Sequence, residues 1–418
     1  MEFPLDFVRG NFPSLADPER VFFDNAAGSQ VPRSVADAMS GRPATHAAVQ
    51  KGSWEELGQT IQRARESVAV FLNAYQPEEI LFGVNATGFI RLVSTAFGEL
   101  LKAGEEIVVT ELDHQANITP WLDLKSRGIE VKIWPVEADA RLDIERLDTI
   151  LSDRTRLVAV TKASNAVGTI VDLIPVAERI HARGGHLFVD AVHFASHGPL
   201  DVRFFGCDFL VCSGYKIFGP RMGFLWAKRE ALDALPGLRQ HFVADQAPDN
   251  SRARTYGYQD VAGMDAAIGY IEELGRRSRE LPLAPADAIG RRGDVRRGMQ
   301  AIRHYERDMT GHLLRRAGEI PALKIHGIDG PDYDAYRTPT LCFSLNGMAA
   351  AEVSRQLAQQ GIAVRDGHQH CPRLMRALGL SESEGGVRAS LVHYNTFEEV
   401  DLFAEALARM SASVRVSK

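Results

Sequence analysis

The stretch Phe209-Leu210-Val211-Cys212-Ser213-Gly214-Tyr215-Lys216, followed by Ile217-Phe218-Gly219-Pro220, decides how this chain is read. An apolar, β-prone run gives way to Ser-Gly, the pattern of a strand that ends in a turn. The turn delivers Lys216 to the end of a buried strand. Burial disfavours the ammonium form, so a lysine there can lose its proton and become an amine nucleophile toward an aldehyde. A lone strand-end lysine more commonly points into water, so its neighbours carry the decision.

Upstream, Gly185-His186-Leu187-Phe188-Val189-Asp190-Ala191-Val192-His193 is a second apolar strand, with an acid at its carboxyl end and a histidine three residues on. Ligands of open α/β sheets gather at the carboxyl ends of the strands. A carboxylate there can pair with a pyridine nitrogen, keep it protonated and make the ring an electron sink. Asp190 fits that role, and His193 is expected to donate a hydrogen bond to the ring's phenolate oxygen. A Schiff-base lysine and a pyridinium acid together imply pyridoxal 5'-phosphate. The phosphate needs a cradle, and Phe82-Gly83-Val84-Asn85-Ala86-Thr87-Gly88-Phe89 supplies small residues ahead of a helix whose positive end faces an anion. Asn85, Ala86 and Thr87 are the candidates, although Asn-Ala-Thr-Gly is equally an ordinary capped helix start. Ser213 and Tyr215 would add two hydroxyls.

A length of 418 residues is enough for two domains and a sizeable core. The net charge of −6 gives no basic field for nucleic acid or an anionic membrane, so small molecules are the expected partners. Met1-Glu2-Phe3-Pro4-Leu5-Asp6 lacks the basic start and apolar core of a signal peptide, and a cytoplasmic location is expected. Cys207, Cys212, Cys342 and Cys371 form no CxxC pair, so neither a metal site nor a disulfide framework is expected. No GxGxxG follows an early strand, which disfavours a nucleotide-binding oxidoreductase.

Strand candidates alternate with helical patterns at Glu79–Val84, Glu106–Glu111, Val131–Val136, Thr155–Thr161, His186–Asp190, Asp208–Ser213 and Gly223–Ala227. That alternation predicts an α/β fold with a mostly parallel seven-stranded sheet. Residues 263–280 and 297–318 read as helices, with 281–296 as a surface connection rich in Pro, Ala, Gly and Arg. Strands return at Thr340–Leu345, Ile362–Arg365 and Gly386–Val392 before a closing helix from Phe397. The expected division is a large domain over 15–262 and a smaller α+β domain over 263–418, which the segment 1–14 joins.

In series, these segments resemble the class V aminotransferase group of fold-type I pyridoxal phosphate enzymes, especially its cysteine desulfurase-like branch. The resemblance runs through Phe23-Asp24-Asn25-Ala26-Ala27-Gly28, Asn85-Ala86-Thr87, Glu111-Leu112-Asp113-His114-Gln115-Ala116-Asn117, Ser164-Asn165-Ala166-Val167-Gly168-Thr169, Asp190, His193, Ser213 and Lys216. It implies that His114 stacks on the pyridine ring and that Asn165 contacts the phenolate oxygen and the substrate. In Gly386-Val387-Arg388-Ala389-Ser390-Leu391-Val392-His393, it implies that Arg388 grips the substrate α-carboxylate, which a guanidinium does through two parallel hydrogen bonds. Arg365 is a second candidate. It further implies a homodimer in which Thr255, in Arg254-Thr255-Tyr256-Gly257, reaches the partner's phosphate.

The reaction is less determined. A cysteine desulfurase needs a mobile thiolate to take sulfur from the substrate, and Cys371 lies where it would be sought. The group's pattern Arg-x-Gly-His-His-Cys is here Arg365-Asp366-Gly367-His368-Gln369-His370-Cys371-Pro372, with one extra residue and a stiffening proline. A sulfur-acceptor protein is expected only if Cys371 is catalytic. Lys162 and Tyr215 stand where desulfurases of this group tend to carry histidine. Lys162 is expected to pair with a nearby acid or to meet an acidic substrate. The expected activity is desulfurase-like or C–S lyase chemistry on an amino acid through Lys216; the alternative is an aminotransferase or epimerase of a small amino acid. A catalytically dead partner-binding subunit would have lost Lys216 or Asp190, and both are present.

Overall fold

Side-chain alternation along the central strands divides the core into two layers. The computed structural model describes residues 3–17, 19–40, 51–236, 257–280 and 289–416. Its strands are β1 (Val21–Phe22), β2 (Ile80–Gly83), β3 (Glu106–Thr110), β4 (Glu130–Trp134), β5 (Thr155–Thr161), β6 (His186–Asp190), β7 (Phe209–Ser213), β8 (Gly223–Ala227), β9 (Leu323–His326), β10 (Thr340–Leu345), β11 (Ile362–Ala363), β12 (Arg365–Gly367) and β13 (Gly386–Ser390). The seven-stranded sheet runs β2-β8-β7-β6-β5-β3-β4. β8 alone runs against its neighbours, as expected for a mostly parallel sheet.

Successive strand residues point to opposite faces. Val108, Val158, Val160, Leu187, Val189 and Leu210 therefore join one cluster, and Ile107, Val109, Leu157, Ala159, Phe188 and Phe209 join the other. The helix Ala86–Leu100 covers the second face with Phe89, Ile90, Val93 and Phe97, an apolar stripe at helical spacing. The helices Lys51–Leu72 and Tyr258–Arg277 cover the first with Val68, Phe71, Ile268 and Ile271. Both faces are thus dry, as a parallel sheet requires.

A smaller antiparallel sheet, β12-β13-β10-β9, packs on the helices Gly290–Gly318 and Phe397–Val416 through Leu341, Phe343, Val387, Met309, Leu313 and Phe403. This is the smaller α+β domain. The expected boundary at 262/263 falls inside the helix Tyr258–Arg277. Of the expected surface connection over 281–296, residues 281–288 lie outside the described residues, and the remainder differs from the structure. From Gly290 the chain is already helical, because Val295, Met299 and Ile302 continue the buried stripe. The run Ile362–Arg365 divides, since β11 pairs in parallel with β1 whereas β12 pairs with β13. That division carries Asp24 alongside β13, where Phe23 and Asn25 exchange backbone hydrogen bonds with Ser390.

Candidate active site

The carboxyl edge of the large sheet assembles the site from five strand ends. β7 ends at Ser213, and a single 3-10 turn over Gly214–Lys216 aims Lys216 inward. Its Nζ donates to the Ala26 carbonyl oxygen and lies 5.1 Å from the Tyr215 ring centre. β6 ends at Asp190, whose Oδ1 accepts the Val192 amide at 2.9 Å. β5 leads to Asn165, β3 to His114, and β2 to the start of the helix Ala86–Leu100. Between them lies a cavity of about 280 Å³. Lys216, Asp190, His193, His114 and Asn165 line it, as do Ala86, Thr87, Ser213 and Tyr215, and Arg365 and Arg388.

Burial sets the protonation states. Lys216 is pushed down to about 7, first by burial and then by the Arg388 charge, against Asp24 and Asp190. Burial pushes Asp190 up to about 6, with the Val192 amide and Lys216 opposing. Burial also lowers His114 to about 4, aided by the His370 and Lys216 charges. Its Nδ1 accepts the Ala116 amide at 3.0 Å, so the neutral ring carries its proton on Nε2. Beneath it, Asp113 is fully buried, held by Thr110 and Asn117, and raised to about 8 by burial.

Several sequence expectations change here. The Asn85 side chain does not line the cavity; it caps the helix by accepting the Gly88 amide at 2.8 Å. The His193 Nε2 faces Thr340 Oγ1 at 3.0 Å and Thr338 Oγ1 at 3.3 Å, which leaves Nδ1 for a ligand. The Asn165 amide is engaged on both sides, with Nδ2 donating to the Gln369 carbonyl at 2.9 Å and Oδ1 accepting from Cys371 Sγ at 3.2 Å. Arg365 does not stand free to bind substrate. Its Nε and Nη2 hold Asp24. Among the described residues Lys162 makes neither an acid pair nor a cavity contact: its Nζ donates to the Val171 carbonyl at 2.7 Å and lies over the Phe194 and Phe205 rings.

Cys371 departs most from its expected role. It is 1% exposed, does not line the cavity, and its thiol is pushed well up by burial, with the Asp113 charge adding to the effect. A buried thiol held in protonated form is a poor nucleophile. The extra residue ahead of it is absorbed by Gln369 and His370, both with positive φ, at 53° and 60°. Such a pair persists only where its surroundings hold it. Here Asn165 holds the Gln369 carbonyl, and the Gln115 amide donates to the His370 carbonyl at 2.8 Å. Thr255 lies outside the described residues.

Sequence reasoning missed Asp24, Gln369 and His370. Gln369 and His370 line the cavity, while Asp24 binds both cavity arginines. Arg365 and Arg388 sit opposite each other in the β12–β13 register, a pairing that a correct division of Ile362–Arg365 could have exposed.

The family described as Aminotransferase class-V matches residues 21–280 and 295–403. The chain belongs to the class V aminotransferases. Within that family it lies on the cysteine desulfurase-like branch. It is 33% identical over 422 residues to a probable cysteine desulfurase of Synechocystis, covering 96% of this chain and 94% of that one. It is 33% identical over 433 residues to a cysteine desulfurase of Enterobacter, covering 98% and 99%. Its fold is similar to a cysteine desulfurase of Thermococcus onnurineus, with a TM-score of 0.85 at 26% identity over 99% of both chains. A cysteine desulfurase of Escherichia coli gives 0.82 at 26% identity over 98% of both.

This class V enzyme uses pyridoxal 5'-phosphate, and its cavity fits that group. Asp190 Oδ2 has no hydrogen-bond partner among the described residues, which leaves a buried acid lining the cavity without an ion pair among them. Thr87 and Tyr215 also line the cavity, and neither hydroxyl has a hydrogen-bond partner among the described residues. Gly223 lets β8 approach the turn before the helix; a Cβ there would lie 2.5 Å from the Asn85 carbonyl carbon. The described residues contain no helix long and apolar enough to cross a membrane and no cluster of three or more metal-ligating side chains.

Proposed function

We propose that this class V enzyme, acting as a cytoplasmic homodimer, cleaves the C–S bond of cysteine or a cysteine conjugate by elimination, without a protein-bound persulfide. The observation that carries this reading is that Lys216 and Arg388 share one cavity with Asp190, while Cys371 is buried behind its wall. Asp190 would hold the pyridine nitrogen. Ser213, Thr87, Tyr215 and the first turn of the helix Ala86–Leu100 would hold the phosphate, with Thr255 of the partner subunit completing the same end. When bound, pyridoxal phosphate supplies an aldehyde and an electron-withdrawing ring.

The chain's own residues do the rest. Arg388 holds the α-carboxylate through a charge-assisted hydrogen bond from its unengaged Nε, which fixes the α-carbon. Lys216, with its pKa brought down to about 7, can exist as the free amine near neutrality and serves as the base for the α-proton. His114, neutral and oriented by the Ala116 amide, covers one side of the cavity without adding charge. Gln369, which is buried, and His370, which is exposed, complete the lining of the cavity.

Product analysis of the purified holoenzyme tests the reading. Elimination releases pyruvate, ammonia and sulfide or thiol in equal amounts. Alanine formed with stoichiometric sulfur on Cys371 would overturn it in favour of a desulfurase. A sulfur-retaining keto acid or an inverted amino acid would overturn it in favour of transamination or epimerisation.

A further inference from the structure

The two arginines at the substrate end of the cavity do not offer two carboxylate sites, because Asp24 lies between them. Its Oδ2 accepts from Arg365 Nη2 at 2.7 Å and Nε at 3.0 Å, and its Oδ1 accepts from Arg388 Nη2 at 2.9 Å. A guanidinium recognises a carboxylate best along one forked edge, and the Nε/Nη2 edge of Arg365 is taken. Arg388 is held differently. Nη1 donates to the Asn165 carbonyl at 3.1 Å, Nη2 to Asp24, and its buried Nε has no partner among the described residues. One unsatisfied buried donor on a cavity-lining cation indicates a ligand acceptor. The Arg388 side chain is 3% exposed, whereas that of Arg365 is 53% exposed. Asp24 itself is fixed by backbone pairing of Phe23 and Asn25 with Ser390, two residues beyond Arg388.

We infer that Asp24 is a specificity-determining residue: by occupying the fork of Arg365 it leaves Arg388 as the single carboxylate site and rejects amino acids with a second carboxylate. Electrostatics act in the same direction. With Asp24 ionised, the three side chains carry one net positive charge, matched by one α-carboxylate. A second carboxylate would have to displace Asp24 or lie beside it, and like charges repel. Replacement of Asp24 by asparagine frees the Arg365 fork and raises the local charge to two.

The inference rests on the proposed binding of an amino acid in this cavity, and titration calorimetry of the holoenzyme with L-alanine and L-aspartate separates the two ideas. Wild type should bind L-alanine in preference to L-aspartate. Asp24→Asn should shift the ratio of dissociation constants toward L-aspartate by about tenfold or more, the range of a charge-assisted hydrogen bond. Asp24→Glu should keep the wild-type preference, and adding Arg365→Gln to Asp24→Asn should cancel the shift. Retained cofactor absorbance reports that each variant is folded. An unchanged ratio in folded Asp24→Asn overturns the inference alone, and so does a shift that survives loss of Arg365. Wild type that binds neither amino acid overturns the proposed function and this inference together.

Discussion

Cys371 Sγ donates a hydrogen bond to Asn165 Oδ1 at 3.2 Å, across 206 positions of sequence. The thiol thereby braces the residue whose carbonyl accepts from Arg388. Serine preserves that donor, so Cys371→Ser should keep turnover within about tenfold of wild type, the scale of a neutral hydrogen bond. Sulfide or thiol release from cysteine, measured with and without reductant, checks this. Complete loss of release would return Cys371 to the role of nucleophile.

Lys216 should load cofactor near neutrality rather than at the alkaline pH of an ordinary lysine. Below about 7 the amine is protonated and unreactive, and above it the free amine persists. The rate at which the cofactor-free protein acquires its visible absorbance should therefore rise to a plateau just above pH 7. A rate still climbing at pH 9 to 10 would contradict the assignment. Lys216→Ala should show no covalent cofactor after borohydride treatment, read by mass spectrometry.

Asp190 makes the cofactor-free protein pH-sensitive in a defined sense. Burial raises its folded pKa to about 6 from the ordinary 3.8 of an aspartate, so between these values the folded state binds more protons than the unfolded chain. Stability therefore falls as pH rises through that window, and the penalty is complete above about 6. Asp190→Asn should stabilise the cofactor-free protein at pH 7.5 by on the order of 2–3 kcal/mol, and by little near pH 4. Thermal unfolding at the two pH values measures this. The same variant should bind pyridoxal phosphate more weakly, because the ring nitrogen loses its acid.

Arg388→Lys retains the charge and loses the Nε donor that faces the carboxylate. Binding of the α-carboxylate should weaken by about ten- to a hundredfold, read mainly as a higher KM with a smaller change in kcat. An unchanged KM would remove Arg388 from carboxylate recognition.

Much of the fold was legible because the buried strands are written as short apolar runs. β5, β6 and β8 match their expected bounds, and the remaining strands of the large sheet lie within a few residues of theirs. β9 was missed because Leu323-Lys324-Ile325-His326 alternates over only four residues at the sheet edge. The start of the helix at Gly290 was missed because Gly and Arg conceal an apolar stripe that only packing against the helix Tyr258–Arg277 makes visible.

The sequence by itself determined the sheet, the family resemblance and the set Lys216, Asp190, His114 and Arg388, because each lies in or just beyond a strand whose apolar pattern is local. Only the tertiary structure decided what those groups face. The Asp24 fork joins residues 341 and 364 positions apart, and the burial of Cys371 depends on a left-handed pair locked by Asn165. Hydrogen-bond partners and desolvation are properties of three-dimensional surroundings. No local pattern records them, and they decide whether a thiol or an arginine is available for chemistry.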